Sequence, residues 1–384
     1  MISGARLAWL QLRRQKIRFA VAIAGVAFAV ILVFMQLGFQ DALFRSAVNV
    51  HERLKGDIFF FHPNYNVLPL PTYFPRVRLY QALGFDGVAN VTPVYTTITS
   101  WKNPVTGRTR DIFVLGIDPT SDVIDIDEVR AQLHLVRYPD VVLYDAMSRP
   151  EFGPIAAMVQ AGNPVTTEVH NREIVVRGLF PMGTSFGVDG TVLTSDLNFV
   201  RINPHLGLGK VGIGVVQLRP GVDAVAVQAA MRARLPADVK ILTRREMLAA
   251  EVDYWASATP IGFVFAFGVV IGLVVGMIIV YQILFADISD HLKEYATLKA
   301  MGYANRYLSG VVLMEASILA LAGFLPGVAI CHQLYTLARQ ATMLPMAITM
   351  ERGLQVLGLT LVMCWGSAMI AMRKLRAADP ADVF

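Results

Sequence analysis

The sequence predicts an α-helical integral membrane protein with four transmembrane helices and a large α+β extracytoplasmic domain in two lobes. Three observations predict it. The 384-residue chain is 55% hydrophobic and only 16% charged, with a mean hydropathy of +0.51, a balance that few soluble globular proteins tolerate. Charge-poor apolar runs of bilayer length occur once near the start of the chain and three times in its last third. Between the first and second of these lies a long block that alternates β-rich runs, turn signals and helical patterns.

Each element follows in order. Residues 1–18 form a basic, amphipathic cytoplasmic helix carrying Arg6, Arg13, Arg14, Lys16 and Arg18. The first span, 19–40, is free of charge. It exceeds the roughly 7–15 apolar residues of a signal-peptide core, so it reads as a retained anchor. Residues 41–253 are the α+β domain, with strands at Gly56–Phe61, Val91–Trp101, Arg110–Ile117, Glu173–Val176 and Val211–Leu218. Its clearest helix is Asp223–Leu235, with Val225, Val227, Ala230 and Met231 on the apolar side. The Pro-rich stretch 62–75 and the Gly-Pro and Asn-Pro pairs near 153 and 163 are loops at lobe edges.

The second span, 254–286, lies in a stretch without a charged side chain between Asp253 and Asp287. That is longer than one crossing requires, so the helix tilts or extends as a stalk. A charged, helix-compatible loop occupies 287–307. The third span, 308–331, is interrupted only by Glu315 and Pro326, and a short outer loop covers 332–353. The fourth span, 354–372, is closed by Arg373, Lys374 and Arg376 at the head of a cytoplasmic tail, 373–384. The Lys and Arg residues beside the first and last spans place both termini in the cytoplasm. Four crossings then put the 287–307 loop, with Lys293, Lys299 and Arg306, inside. The 332–353 loop, with Arg339 and Arg352, and the α+β domain fall outside.

Other classes find little support. The net charge of +5 comes from basic residues placed where membrane topology puts them, so no nucleic-acid partner is expected. Cys331 and Cys364 both fall in apolar runs and match neither a zinc spacing nor a disulfide framework. No G-x-x-x-x-G-K-[ST], H-E-x-x-H or Cys/His cluster occurs, so the chain is expected to bind no cofactor or metal and to be non-catalytic. Gly183-Thr184-Ser185-Phe186-Gly187 matches G-x-S-x-G. That motif requires a helix after it, whereas Val188-Asp189-Gly190-Thr191 reads as a turn and then a strand. His51, His170 and His205 have no acidic partner at a telling spacing.

Within the spans two features carry physics. Gly268, Gly272 and Gly276 recur every four residues along one side of the second helix, and Gly323 and Gly327 repeat the device in the third. Small residues let backbones approach closely, so these are helix-packing positions, serving an interface within the subunit or with a second copy. Glu315 is an intramembrane charge about two turns from the cytoplasmic end. Three roles are open to it: pairing with the arginine-rich N-terminal segment, coupling between helices, and proton relay.

The segment Glu294-Tyr295-Ala296-Thr297-Leu298-Lys299-Ala300-Met301-Gly302 resembles the signature of FtsX/MacB-type permeases of ABC transporters. The opening Ala8 to Arg18 is similar to that family's amphipathic entry, Glu315-Ala316 with Gly323 and Gly327 to its third helix, and Asp379-Pro380 to its C-terminal tail. Ile288 to His291, Gly183 to Asp196 and the ending through Phe384 look closest to the DevC-type permeases of cyanobacteria, which are associated with export of heterocyst glycolipids. The resemblance implies a homodimeric permease of the bacterial inner membrane, driven by a separate ABC ATPase subunit that holds ATP and Mg. It further implies a periplasmic adaptor (membrane fusion protein), a TolC-like outer-membrane channel and contact with membrane lipids. Unlike the MacB pattern, no ATPase domain precedes the first span in this sequence. The family also implies a βαβ-like lobe interrupted by an inserted second lobe.

A coupling mechanism follows for the 287–307 loop. Glu294 and Lys299 are the candidates for polar contacts with the ATPase, Leu298 and Met301 for apolar anchors, and Gly302 for the helix stop. The expected function is therefore the permease subunit of an exporter of lipid-like or glycolipid cargo. The alternative is an FtsX-like transmembrane regulator that activates a periplasmic cell-wall hydrolase.

Overall fold

The computed structural model describes residues 16–185 and 187–377. Most of the expected amphipathic N-terminal helix and the Asp379–Phe384 ending lie outside them. From the N-terminal side, α1 (Lys16–Ala47) and the single turn α2 (Asn49–Glu52) lead into the strands. These are β1 (Ile58–Phe61), β2 (Phe74–Pro75), β3 (Val88–Lys102), β4 (Thr109–Ile117), β5 (Val141–Asp145) and β6 (Val165–Val169). They continue with β7 (Arg172–Phe180), β8 (Thr191–Ser195), β9 (Lys210–Val211), β10 (Ile213–Leu218) and β11 (Lys240–Thr243). Helices α3 (Arg76–Gln81), α4 (Asp127–Gln132), α5 (Ile155–Gln160), α6 (Asp196–Ile202) and α7 (Ala224–Arg234) fill the connections. The chain closes with α8 (Arg244–Asp253), α9 (Pro260–Asp290), α10 (Leu292–Ala300), α11 (Asn305–Thr342) and α12 (Met350–Ala377). It divides into two units, one holding Leu43–Thr259 and the other the chain up to Ala42 and from Pro260 onward.

The α+β unit is built on one mixed sheet in the order β11-β1-β10-β3-β4-β8-β5-β7-β6. Strand β3 is 15 residues long. Its first half pairs with β10 and its second half with β4, so one strand belongs to two parts of the sheet. The second part curls until β6 meets β3 again, Trp101 opposite Val169, which closes a ring of six strands. The two lobes expected from the sequence are thus two parts of one sheet that share a strand.

Both faces of that sheet are covered. Ile58 and Phe60, Ile112 and Val114, and Val142 and Tyr144 enter one core; Phe59 and Phe61, Phe113 and Leu115, and Leu143 enter the other. A strand with two buried faces reads as a continuous apolar run and not as an alternation. That is why β5, Val-Val-Leu-Tyr-Asp, lacked the alternating pattern that marked other strands.

Four helices of the second unit, α1, α9, α11 and the 350–373 part of α12, are long and apolar enough to cross a membrane. They extend past the apolar runs that predicted them. The 332–353 stretch expected as a loop is helical except for 343–349, because α11 runs on to Thr342 with Tyr335 buried against the bundle. The stretch from 254, expected as one tilted or stalk-extended helix, is broken. A π-helical turn spans Tyr254–Ala258 and Thr259 is extended (φ −118°, ψ 157°). Pro260 accounts for the break, since the residue before a proline is pushed out of the helical region.

Helix α1 is the centre of this unit. Ala22, Val26, Ala29, Val30, Val33 and Phe34 are all buried in its core. Both glycine lines close on it from within the chain. A Cβ at Gly268 would lie 2.5 Å from Gln36, at Gly272 3.4 Å from Leu32, and at Gly276 2.6 Å from Ala29, so α9 runs antiparallel to α1. A Cβ at Gly323 would lie 2.5 Å from Val26 and at Gly327 2.7 Å from Val30, so α11 runs parallel to it. Helix α12 bridges the other two. Met363 packs on Gly276, the Ser367 hydroxyl donates to the Met277 carbonyl (2.8 Å), and the Trp365 indole donates to the Ser317 hydroxyl (2.9 Å). Ion pairs hold α1 near each end: Arg18 with Asp290 of α9, and Asp41 with the buried Arg352 of α12 at 2.5 Å.

Gly323→Val is therefore expected to lower thermal stability by about 1–3 kcal/mol, the usual cost of overpacking. Gly310→Ala, where a Cβ would meet nothing within 4 Å, should leave it unchanged or raise it. Thermal unfolding of the detergent-solubilised chain checks both, and equal losses would remove the close-packing argument.

Candidate functional site

Helix α10 follows α9 with only His291 between them. His291 is held by α9, its Nδ1 3.4 Å from the Asp287 carboxylate. The helix ends as a short amphipathic element should. Gly302 has φ +90°, its N–H donates to the Lys299 carbonyl (3.0 Å), and the Tyr303 N–H donates to the Leu298 carbonyl (3.1 Å). These two bonds and a left-handed residue make a Schellman stop, which a side chain at 302 would strain. Gly302 is the helix stop that its position in the sequence implied.

The faces of α10 separate by helical spacing. Tyr295 and Ala296 are buried, and Leu292 and Leu298 pack half-buried on the core that holds α1. Lys293, Glu294, Thr297 and Met301 are exposed, Met301 by 63%. Lys299 is half-buried at the edge between the faces. Leu298, expected as an outward apolar anchor, therefore points into the helix unit, because Leu292, Tyr295 and Leu298 repeat at i, i+3 on the side the bundle covers. Thr297 was not singled out from the sequence. It lies between Glu294 and Met301 on the outer face, its hydroxyl bonded to the Lys293 carbonyl (2.8 Å), and the i, i+3, i+4 spacing that would have found it was present. Tyr303 and Tyr307, with ring centroids 5.0 Å apart, continue past the stop.

Glu315 lies in α11 with no exposed surface. Neither carboxyl oxygen has a hydrogen-bond partner among the described residues, and the charged neighbour acting on it is Asp287 of α9. Arg18 of the N-terminal segment pairs with Asp290 instead, and Arg13 and Arg14 lie outside the described residues. Burying a carboxyl without donors costs several kcal/mol in any apolar surroundings. Glu315 thus detracts from stability at its position.

The Gly183 loop takes a structural part. The buried Asp145 carboxylate accepts N–H bonds from Met147 (3.0 Å), Met182 (2.9 Å) and Gly183 (3.0 Å). Burial raises its pKa, and those three bonds oppose the rise. Strand β8 follows this loop where a nucleophile elbow needs a helix. No group of three or more His, Cys, Asp or Glu side chains able to hold a metal ion occurs among the described residues.

Leu298→Ala should lower thermal stability by about 1–2 kcal/mol, whereas Met301→Ala should change it by less than about 0.5 kcal/mol. Glu315→Leu should leave the melting temperature unchanged or raise it, since it removes an unpartnered buried carboxyl. Thermal melts of the three variants in one detergent settle the orientation of α10 and the cost of Glu315 together.

Residues 266–380 match the family model described as FtsX-like permease C-terminal. This stretch contains most of α9, the whole of α10 and α11, and the described part of α12. Three solved structures are similar to the chain. The periplasmic region of MacB from Actinobacillus actinomycetemcomitans is 11% identical over 53% of this chain and 95% of its own, with a TM-score of 0.35. The extracellular domain of the noncanonic ABC-type transporter YknZ from Gram-positive bacteria is 10% identical over 49% of this chain and 99% of its own, at 0.31. A domain of a putative permease protein from Porphyromonas gingivalis is 15% identical over 50% of this chain and 89% of its own, at 0.30. No curated protein matches the chain. Residues 266–380, and with them the exposed face of α10, are thus the part of the chain that is similar to the FtsX-like permease C-terminal family.

Proposed function

We propose that this chain is the transmembrane subunit of an ABC exporter in a bacterial inner membrane, and that it relays motion from a separate ATPase to its α+β domain. The observation that carries the reading is the FtsX-like permease match, inside which α10 presents Lys293, Glu294, Thr297 and Met301 outward from a rigid, stopped helix. With Lys16, Arg18 and Arg373 at the flanks, both termini are cytoplasmic and α10 faces the ATPase. The α+β domain is then periplasmic, and a second copy completes a homodimer.

The relay follows from chain connectivity. An ATPase that binds one position of α10 better than another shifts the helix by that difference in affinity. Only His291 separates α10 from α9, so the displacement passes into α9, whose glycine line grips α1. Both α1 and α9 lead by continuous chain into the α+β unit. Glu294 and Lys299 supply polar contacts, Met301 the apolar one, and Leu298 seats α10 on the bundle. The cargo is lipid-like or a glycolipid, handed to a periplasmic adaptor and a TolC-like outer-membrane channel. Support for the cargo is the sequence resemblance to DevC-type permeases.

The test compares lipids of separated inner and outer membranes with and without the chain. Loss should strand a lipid or glycolipid in the inner fraction. The wild-type chain should restore it, while Glu294→Ala combined with Met301→Ala should not, and that variant should retain its ATPase at least tenfold less well on co-purification. Unchanged lipids with altered wall turnover would overturn the exporter reading.

A further inference from the structure

Two exposed histidines of the α+β unit come together beside the place where β6 meets β3. His170 is the first residue of the two-residue turn between β6 and β7, and His205 lies in the loop between α6 and β9. Their ring centroids are 5.8 Å apart and the ring planes are tilted by 46°. No short spacing relates them in the sequence, so only the fold pairs them.

Both rings stand on anchored backbone. His170 and Asn171 have φ of +51° and +59°, the mark of a type I′ hairpin turn, whose first place is filled as a rule by Asn, Asp or Gly. Here that place presents an imidazole. The turn is bound to β3 twice. The His170 N–H donates to the Ser100 carbonyl (2.8 Å), and the ring Nδ1 lies 2.8 Å from the hydroxyl of the buried Thr99. His205 sits inside a turn closed by the Leu206 N–H on the Asn203 carbonyl (3.1 Å), and Asn203 and Leu206 are both buried.

We propose that His170 and His205 hold a divalent transition-metal ion, with Nε2 of His170 and one ring nitrogen of His205 as its protein ligands and water in the remaining places. The separation suits one ion. With metal–nitrogen bonds of about 2.0–2.1 Å, two imidazoles that share an ion have ring centroids roughly 4.5–6.5 Å apart, according to the angle at the metal. The observed 5.8 Å falls in that range without movement of either backbone.

The bonding leaves nitrogens for the ion. Thr99 engages only Nδ1 of His170, and its hydroxyl can either donate or accept. With a metal on Nε2, the proton stays on Nδ1 and is donated to the Thr99 oxygen. Such an outer contact fixes the tautomer and orientation of a metal-bound imidazole. The His205 side chain makes no hydrogen bond to the described residues. Imidazole suits copper, nickel and zinc, whereas magnesium and calcium take oxygen ligands, so the site selects the former group. The arginines closest in sequence, Arg172 and Arg201, are both bound to Asp140 (2.6 and 2.8 Å), which offsets part of the charge they would set against a cation. A bound ion ties the β6–β7 turn, next to the Trp101–Val169 pairing, to the loop after α6.

The site stands apart from the exporter reading. The full-length chain, purified in detergent on a tag without histidine, is titrated with Cu(II) and followed by electron paramagnetic resonance. One equivalent should bind with a signal split by imidazole nitrogens. His170→Asn, which keeps a residue suited to the turn, and His205→Ala should each weaken that binding at least about tenfold. His134→Ala, at an exposed histidine elsewhere in the unit, should bind as the wild type does. Without copper all three variants should melt as the wild type does, since the substitutions are on the surface. A wild-type chain with no imidazole-bound copper, a loss confined to one of the two site variants, or binding that both retain would overturn the site.

Discussion

The arrangement of the helices depends on how closely α1 can be approached. Gly268, Gly272 and Gly276 bring the α9 backbone against it from one direction, and Gly323 and Gly327 bring α11 from another. Where lipid surrounds helices, apolar surface alone does not drive them together, so close packing and a few polar contacts must. Here the polar contacts complete what the glycines allow: the Tyr335 phenol donates to the Phe34 carbonyl, and Arg18–Asp290 and Asp41–Arg352 fix the register. A helix gripped along both sides and pinned near its ends moves with its neighbours or not at all. Any displacement of α9 is then shared with α1, and both lead on into the α+β unit.

Much of this organisation was legible in the residues. Long charge-free runs marked the helices because burial in an apolar medium leaves no alternative for a backbone. Gly302 was readable as a helix stop because the left-handed conformation favours glycine. Spacing also showed that the glycines lie in register, but a repeat of four says only which side of a helix they share. What they face is a tertiary fact. The same limit explains Leu298. Its apolarity was visible, but whether it faced a partner or its own bundle depended on which side of α10 the chain covers.

Other features were hidden for identifiable reasons. Strands β5, β6, β8 and β11 are four or five residues long, and β5 and β8 have no exposed residue, so the alternation that betrays a half-exposed strand is missing from them. His51 lacked an acidic partner at any telling spacing because its neighbour Glu251 arrives from the far end of the domain. Local spacing rules register partners on one helix or one hairpin, and this pair is joined only by the fold. Pro260 was visible, yet the uncharged run around it masked the break it imposes.

The ring in the α+β unit has one asymmetry. Five of its junctions are extended ladders or pairs of rungs, but at the sixth the strands pair only where Trp101 meets Val169. Around that rung other bonds make the closure: the His170 N–H donates to the Ser100 carbonyl (2.8 Å), the Thr167 hydroxyl to the Lys102 carbonyl, and the Lys102 ammonium to the Glu168 carboxylate (2.7 Å). The ring is thus shut largely by side chains where regular pairing runs out. Its seam depends on the identity of Thr167 and Glu168 in a way that the backbone ladders of the other five junctions do not.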